Sequence, residues 1–179
     1  MIPYGGKELA NAFRTVRKNT IRVAEEIPEE KYDFVPAPGC RSVAKLLVHI
    51  GITPQFAEDM HRDKRITTLV GYDFFSLLDR FKAEESKTRS KAEIIALLQT
   101  DGEKFAAWME TLTPEFLAET VTEPDGKTTK TRLERLLGPK EHEMHHRGQL
   151  MLIERQLGIV PHLTRQFEEV MKQRQAANA

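Results

Sequence analysis

The sequence predicts an all-α protein, a four-helix bundle with short additional helices in the connections and at the C-terminus. Three observations predict it. Four stretches carry apolar residues at alternating steps of three and four, the period of an amphipathic helix. The strands that an α/β fold needs are missing. The long helical stretches are joined by moderate connections, as in a bundle. With 179 residues, the chain has the length of one domain and can bury a core without disulfides, so 1–179 reads as a single domain.

The first helix spans roughly Lys7 to Ile27, with Leu9, Phe13, Val16, Thr20, Val23 and Ile27 on one stripe. Pro28 stops it, because proline clashes with a continuing helix. Glu29 to Cys40 reads as a loop closed by Pro36, Pro38 and Gly39. Ser42 is the expected N-cap of the second helix, which carries Leu46, Leu47, Ile50, Phe56, Ala57 and Met60 and should be kinked by Pro54 near Ile50 and Gly51. Ile66 to Ser90 is mixed, with a short helix around Phe74 to Phe81 and a polar stretch from Lys82. The third long helix starts near Ser90 or Lys91 and shows a stripe from Ile94 to Leu112. A short helical piece follows at Thr113-Pro114-Glu115. Thr120 to Thr131, with its Pro124-Asp125-Gly126 turn, is either a small hairpin or a loop. The last long helix runs from about Arg132 to Leu157 and ends at Gly158. Gly138-Pro139 either bends it or starts it afresh. Leu163 to Lys172 predicts a final short helix, and Gln173 to Ala179 a frayed end.

Composition narrows the functional classes. The 27 Lys and Arg cancel the 27 Asp and Glu, so the basic excess of a dedicated nucleic-acid binder is missing. No run approaches the ~20 apolar residues that span a bilayer, and no membrane partner is expected. Met1 to Gly6 lacks a basic stretch leading into an apolar one, so no secretory signal is expected. One cysteine, Cys40, cannot form an internal disulfide and fits a reducing compartment; a cytoplasmic location is the expectation.

The histidines carry the chemistry. His142 and His146 lie four apart, about 40° past one helical turn, so both imidazoles leave one face. Gln149 and Ile153 continue that stripe into core positions, which turns the pair inward. His145 lies on the neighbouring stripe and is the less favoured partner. His49 sits near the apolar face of the second helix, between Leu46 and Ile50. An inward imidazole facing an inward pair is how a bundle builds a metal site. Three imidazoles suit zinc, nickel, copper or iron and leave positions open, the arrangement of catalytic sites. His142-Glu143-Met144-His145-His146 also matches the His-Glu-x-x-His frame of zinc proteases, but the strands and third ligand of that class are absent.

Other residues get modest expectations. Asp101 falls near the third helix's stripe and is a candidate partner for a ligand ring N–H, with a wet seam as the blander reading. Glu143 and Glu141 read as solvated or as supporting groups, Arg147 as a tie between helices, and Gln149 as a hydrogen-bonding group on the inward stripe. His61 and His162 read as surface residues, and Cys40 as a loop thiol.

Arg41-Ser42-Val43-Ala44-Lys45-Leu46-Leu47-Val48-His49-Ile50 resembles the second-helix entry of the DinB/YfiT-like family, and His142-x-x-x-His146-Arg147-Gly148-Gln149 resembles its fourth-helix signature. Tyr32-Asp33-Phe34 and Leu157-Gly158 also look like family positions, so the resemblance covers about Leu9 to Gly158. It implies a four-helix bundle, often a homodimer, holding a divalent metal ion, zinc or nickel, through His49, His142 and His146. The wider superfamily includes transferases and isomerases that work with low-molecular-weight thiols, which implies such a thiol as a cofactor. The open three-histidine site is equally compatible with hydrolysis, so a metal-dependent hydrolase or thiol-dependent transferase acting on a small molecule is the expectation. The alternative is a non-catalytic metal-binding stress-response protein.

Overall fold

The computed structural model describes residues 4–178, and its long helices are those that the apolar periodicity picks out. Helix α1 spans Gly6–Glu26 and stops just before Pro28. Helix α2 spans Val43–Ile52, and Ser42 caps it by accepting from the Lys45 amide at 3.4 Å. Helix α2 does not kink through Pro54. It ends there, because proline has no N–H for a helical bond, and the Thr53 hydroxyl donates to the His49 carbonyl at 2.6 Å. The chain restarts as α3, Gln55–Ala57, followed by a π-helical turn over Glu58–Asp63.

Helix α4, Phe74–Ser86, is longer than the short helix expected. It runs on through the polar residues from Lys82 to Ser86. Helix α5 spans Lys91–Glu110 behind a reciprocal cap between Ser90 and Glu93. Helix α6 is Pro114–Ala118. The Thr-rich stretch forms a hairpin of β1, Thr120–Thr122, and β2, Thr129–Thr131, with Val121 opposite Lys130. Helix α7 is continuous over Arg132–Gln156 with Pro139 inside it. Gly158 turns the chain out of α7 in a left-handed conformation (φ 79°), which costs glycine little. Helix α8, His162–Ala177, extends through residues expected to fray.

The bundle proper is α1, α2, α5 and α7. Helix α1 packs along α5 and α7, while α2 packs along α5, α7 and α4. Two apolar clusters fill it. One joins Leu9 and Phe13 of α1 to Phe105 and Met109 of α5 and Leu136 of α7. The other joins Val23 of α1 to Leu47 and Ile50 of α2, Ile94 and Leu98 of α5, and Leu150 and Ile153 of α7. Early residues of α1 and α7 share one cluster and late residues share the other, so these two helices run parallel, whereas α5 runs against them.

The level between the clusters is polar. There the buried Arg17 of α1 pairs with the buried Glu143 of α7, its Nε 3.0 Å from both carboxylate oxygens. The same guanidinium donates to the Leu98 carbonyl of α5 at 2.8 Å and to the Ile50 carbonyl of α2 at 3.3 Å. Arg17 therefore touches all four helices. Gly102 of α5 makes room for it, since a Cβ there would sit 2.8 Å from Nη1. No helix among the described residues is long and apolar enough to cross a membrane.

Candidate metal centre

His49 comes from α2 and His142 and His146 from α7. Backbone bonds from Val43 to Phe34 and from Ala44 to Tyr32 pin the start of α2 to the preceding loop. The Tyr32 hydroxyl in turn donates to the Ala24 carbonyl of α1 at 2.8 Å. The helix that carries His49 is thereby fixed relative to the bundle.

One nitrogen from each ring converges. His142 Nε2 lies 3.1 Å from His49 Nε2 and 3.1 Å from His146 Nε2, and all three donor atoms lie within 4.8 Å of one another. The outer ring nitrogens are held from behind. His49 Nδ1 donates to Glu85 at 2.8 Å, and His146 Nδ1 donates to the Gln149 side-chain oxygen at 2.8 Å. A carboxylate and an amide oxygen only accept, so both rings carry their proton on Nδ1 and turn a bare lone pair inward. His142 can donate from Nε2 to one neighbour at most. At least one pair of lone pairs therefore meets at 3.1 Å, an arrangement that a cation between the rings relieves. The donor set thus fits a metal ion.

The electrostatics agree. Burial first, then the neighbouring histidines, hold His142 down to about 3. Burial and the Arg41 guanidinium lower His49 against the pull of Glu85, and burial chiefly lowers His146. All three are neutral at neutral pH, the form that ligates. Glu85 stays below its ordinary value although burial opposes this, because Arg41 (2.6 Å) and His49 donate to it. Arg41, Glu85 and His49 form a chain of charge-assisted bonds behind the site.

Beside His146 a cleft of about 370 Å³ opens between the loop carrying Ala37, Cys40 and Arg41 and the second half of α7. Leu46, Leu152 and Ile153 give it an apolar wall.

The structure brings together the three histidines that the sequence singled out. His145 is exposed and lies outside the trio, where it accepts from the Gln149 amide nitrogen at 3.3 Å. Other expectations are corrected. Asp101 faces Lys104 at 3.6 Å and touches no histidine; Glu85 of α4 takes the role considered for it. Glu143 is neither solvated nor near the rings' outer nitrogens, because it faces α1 and Arg17. His61 is buried, accepting from the buried Arg132 at 2.9 Å, and burial and Arg132 hold it down to about 4. His162 is buried as well, against Asn19 of α1. Both correct the expectation of surface histidines. Arg147 does tie helices, donating to the Val16 carbonyl at 3.4 Å.

A bundle with an inward trio of imidazoles, two on one helix and one on its neighbour, defines a class of proteins. The chain belongs to the DinB superfamily, whose family model matches residues 12–150. A Bacillus subtilis protein, the uncharacterised YjoA, is 26% identical over 153 residues, covering 84% of this chain and 90% of YjoA. The crystal structure of that DinB-like protein superposes with a TM-score of 0.62 at 23% identity, over 84% of this chain and 92% of YjoA. YfiT of Bacillus subtilis, described as a probable metal-dependent hydrolase with an unusual four-helix bundle topology, superposes with a TM-score of 0.66 at 17% identity, over 86% and 88% of the two chains. An uncharacterised protein of Clostridium difficile 630 gives a TM-score of 0.61 at 15% identity, over 87% and 98%. At these identities the superpositions speak for the fold.

Proposed function

We propose that His49, His142 and His146 hold one divalent metal ion through their Nε2 atoms, and that the protein is a metal-dependent hydrolase of a small molecule. The observation that carries this reading is the facing of three neutral imidazoles whose outer nitrogens are already committed. Zinc or nickel suits an all-imidazole set. An ion held by three protein ligands keeps positions open and supplies a Lewis acid that makes water a nucleophile near neutral pH. The description of YfiT as a probable metal-dependent hydrolase supports the same reaction class.

The chain's own residues have assignable tasks. Glu85 orients His49 and strengthens it as a ligand, with Arg41 keeping that carboxylate ionised. Gln149 does the same for His146. Leu46, Leu152 and Ile153 offer an apolar surface beside the site on which the body of a substrate can rest. Thiol-dependent transfer is the second reading. It is favoured by the absence of carboxylates along the cleft, so a thiolate meets no like charge there.

Elemental analysis of untagged protein beside a His142→Ala, His146→Ala variant tests the site. The expected result is a single equivalent of metal, lost in the variant, with hydrolysis of activated esters or amides that a chelator abolishes. No metal in either protein after adding zinc or nickel overturns the reading. Metal present with thiol conjugation in place of hydrolysis selects the transferase.

A further inference from the structure

The cleft beside His146 has a chemical character that names its ligand. Its volume, about 370 Å³, is at the small end of ligand sites. Its apolar surface comes from Leu46, Leu152, Ile153 and the Pro36-Ala37 corner of the loop. Leu152 is 59% exposed, which leaves a large aliphatic side chain facing solvent along one wall. The polar members are few, and no aspartate or glutamate is among the lining residues. The charged one is Arg41. Its Nε and Nη2 are spent on Glu85, at 2.6 and 3.3 Å, while Nη1 makes no hydrogen bond among the described residues. A guanidinium with Nη1 unspent beyond its pair with Glu85, an apolar wall and no carboxylate among the lining residues favour a negative group at the rim and a hydrocarbon body within.

We infer that the substrate is a small anion with a compact apolar body, seated between the loop carrying Ala37, Cys40 and Arg41 and the His146–Gln156 half of α7. The anionic group faces Nη1 of Arg41 and the apolar body lies on Leu152 and Ile153. The reacting bond is thereby held at the His146 end. The inference rests on the metal reading above, because only an occupied centre gives that end of the cleft a reaction to perform.

The chain's single cysteine provides the readout. Cys40 lines this cleft and is exposed, so a neutral alkylating agent, iodoacetamide, reports whether the cleft is filled. The probes are hexanoate, hexanol and hexylamine, which share a body and differ in charge, applied to zinc-loaded protein. At ten times its Kd, hexanoate should slow alkylation about tenfold by mass action. Hexanol should protect more weakly and hexylamine hardly at all. Leu152→Asp should bind the same equivalent of zinc and lose the protection. Equal protection by hexylamine, or none by hexanoate in protein that holds zinc, overturns the substrate class and leaves the metal site standing. Protection that survives unchanged in Leu152→Asp overturns the placement. Zinc content is measured on the same samples, and its absence sinks the metal reading and this inference with it.

Discussion

Glu85 governs how His49 presents itself. Its carboxylate fixes the tautomer by taking the Nδ1 proton, and Arg41 holds that carboxylate ionised. Partners of this kind are worth about 10–100-fold in metal affinity. Glu85→Gln should therefore weaken zinc binding by roughly tenfold without unfolding the protein, as measured by competition with a chromophoric chelator. An unchanged affinity would mean that His49 is oriented by packing alone. The three histidines were legible because helical spacing is local: His142 and His146 share a face whatever surrounds them. Glu85 was not legible. It stands 36 residues from His49, at the end of a helix whose polar residues read as a connection. Glu143 failed for a related reason. One position after His142 it turns about 100° around the helix, and only the packing of α1 decides that this direction leads to Arg17.

At the level of the helices, Arg17 is the common fastener. It bonds to α7, α5 and α2 from α1 in the layer between the two apolar clusters. Removing one partner of a buried ion pair costs about 3–5 kcal/mol, because the other charge is left stranded, whereas replacing both by apolar residues is often neutral. Arg17→Met should therefore destabilise the protein by about 3 kcal/mol, and Arg17→Met with Glu143→Leu should recover most of that, as read from urea midpoints. A double variant no better than the single one would show that the bonds to the Leu98 and Ile50 carbonyls matter more than the charge pair. The four long helices were readable from their stripes, with ends near Pro28, Ser90 and Gly158 where the sequence placed them. Two prolines show the limit: α7 runs on through Pro139, one of the two outcomes the sequence left open, and α2 stops before Pro54 where a helix kinked near Ile50 and Gly51 was expected to continue. A proline removes one bond in either place, and the packing of the neighbours decides whether the helix survives.

For the molecule as a whole, stability should depend on pH through a residue far from the trio. Glu154 is fully buried, and neither side-chain oxygen has a hydrogen-bond partner among the described residues. Burial first, and Glu26 second, push its carboxyl up to about 7 from 4.5. Between those values it is neutral when folded and ionised when unfolded, so its contribution is whole below about 4.5 and lost as pH rises through about 7. His61 has the opposite sign: its contribution is present above 6.5 and lost as pH falls toward about 4. The difference between Glu154→Gln and the native protein isolates the glutamate. The variant should gain relative stability between about pH 5 and pH 8, and a difference that stays constant across that range would show that Glu154 ionises alike in both states. The chain order of the trio has its own consequence. His49 and His142 are 93 positions apart, and both α7 histidines come late in the chain. Domains begin to organise from the N-terminus while synthesis continues. A nascent chain that has emerged only through α5 presents a single imidazole of the three, too few to capture an ion. On the proposed metal reading, the full set of three imidazoles exists only once α7 has left the ribosome and docked beside α2, so an ion would come as a seal on a finished fold.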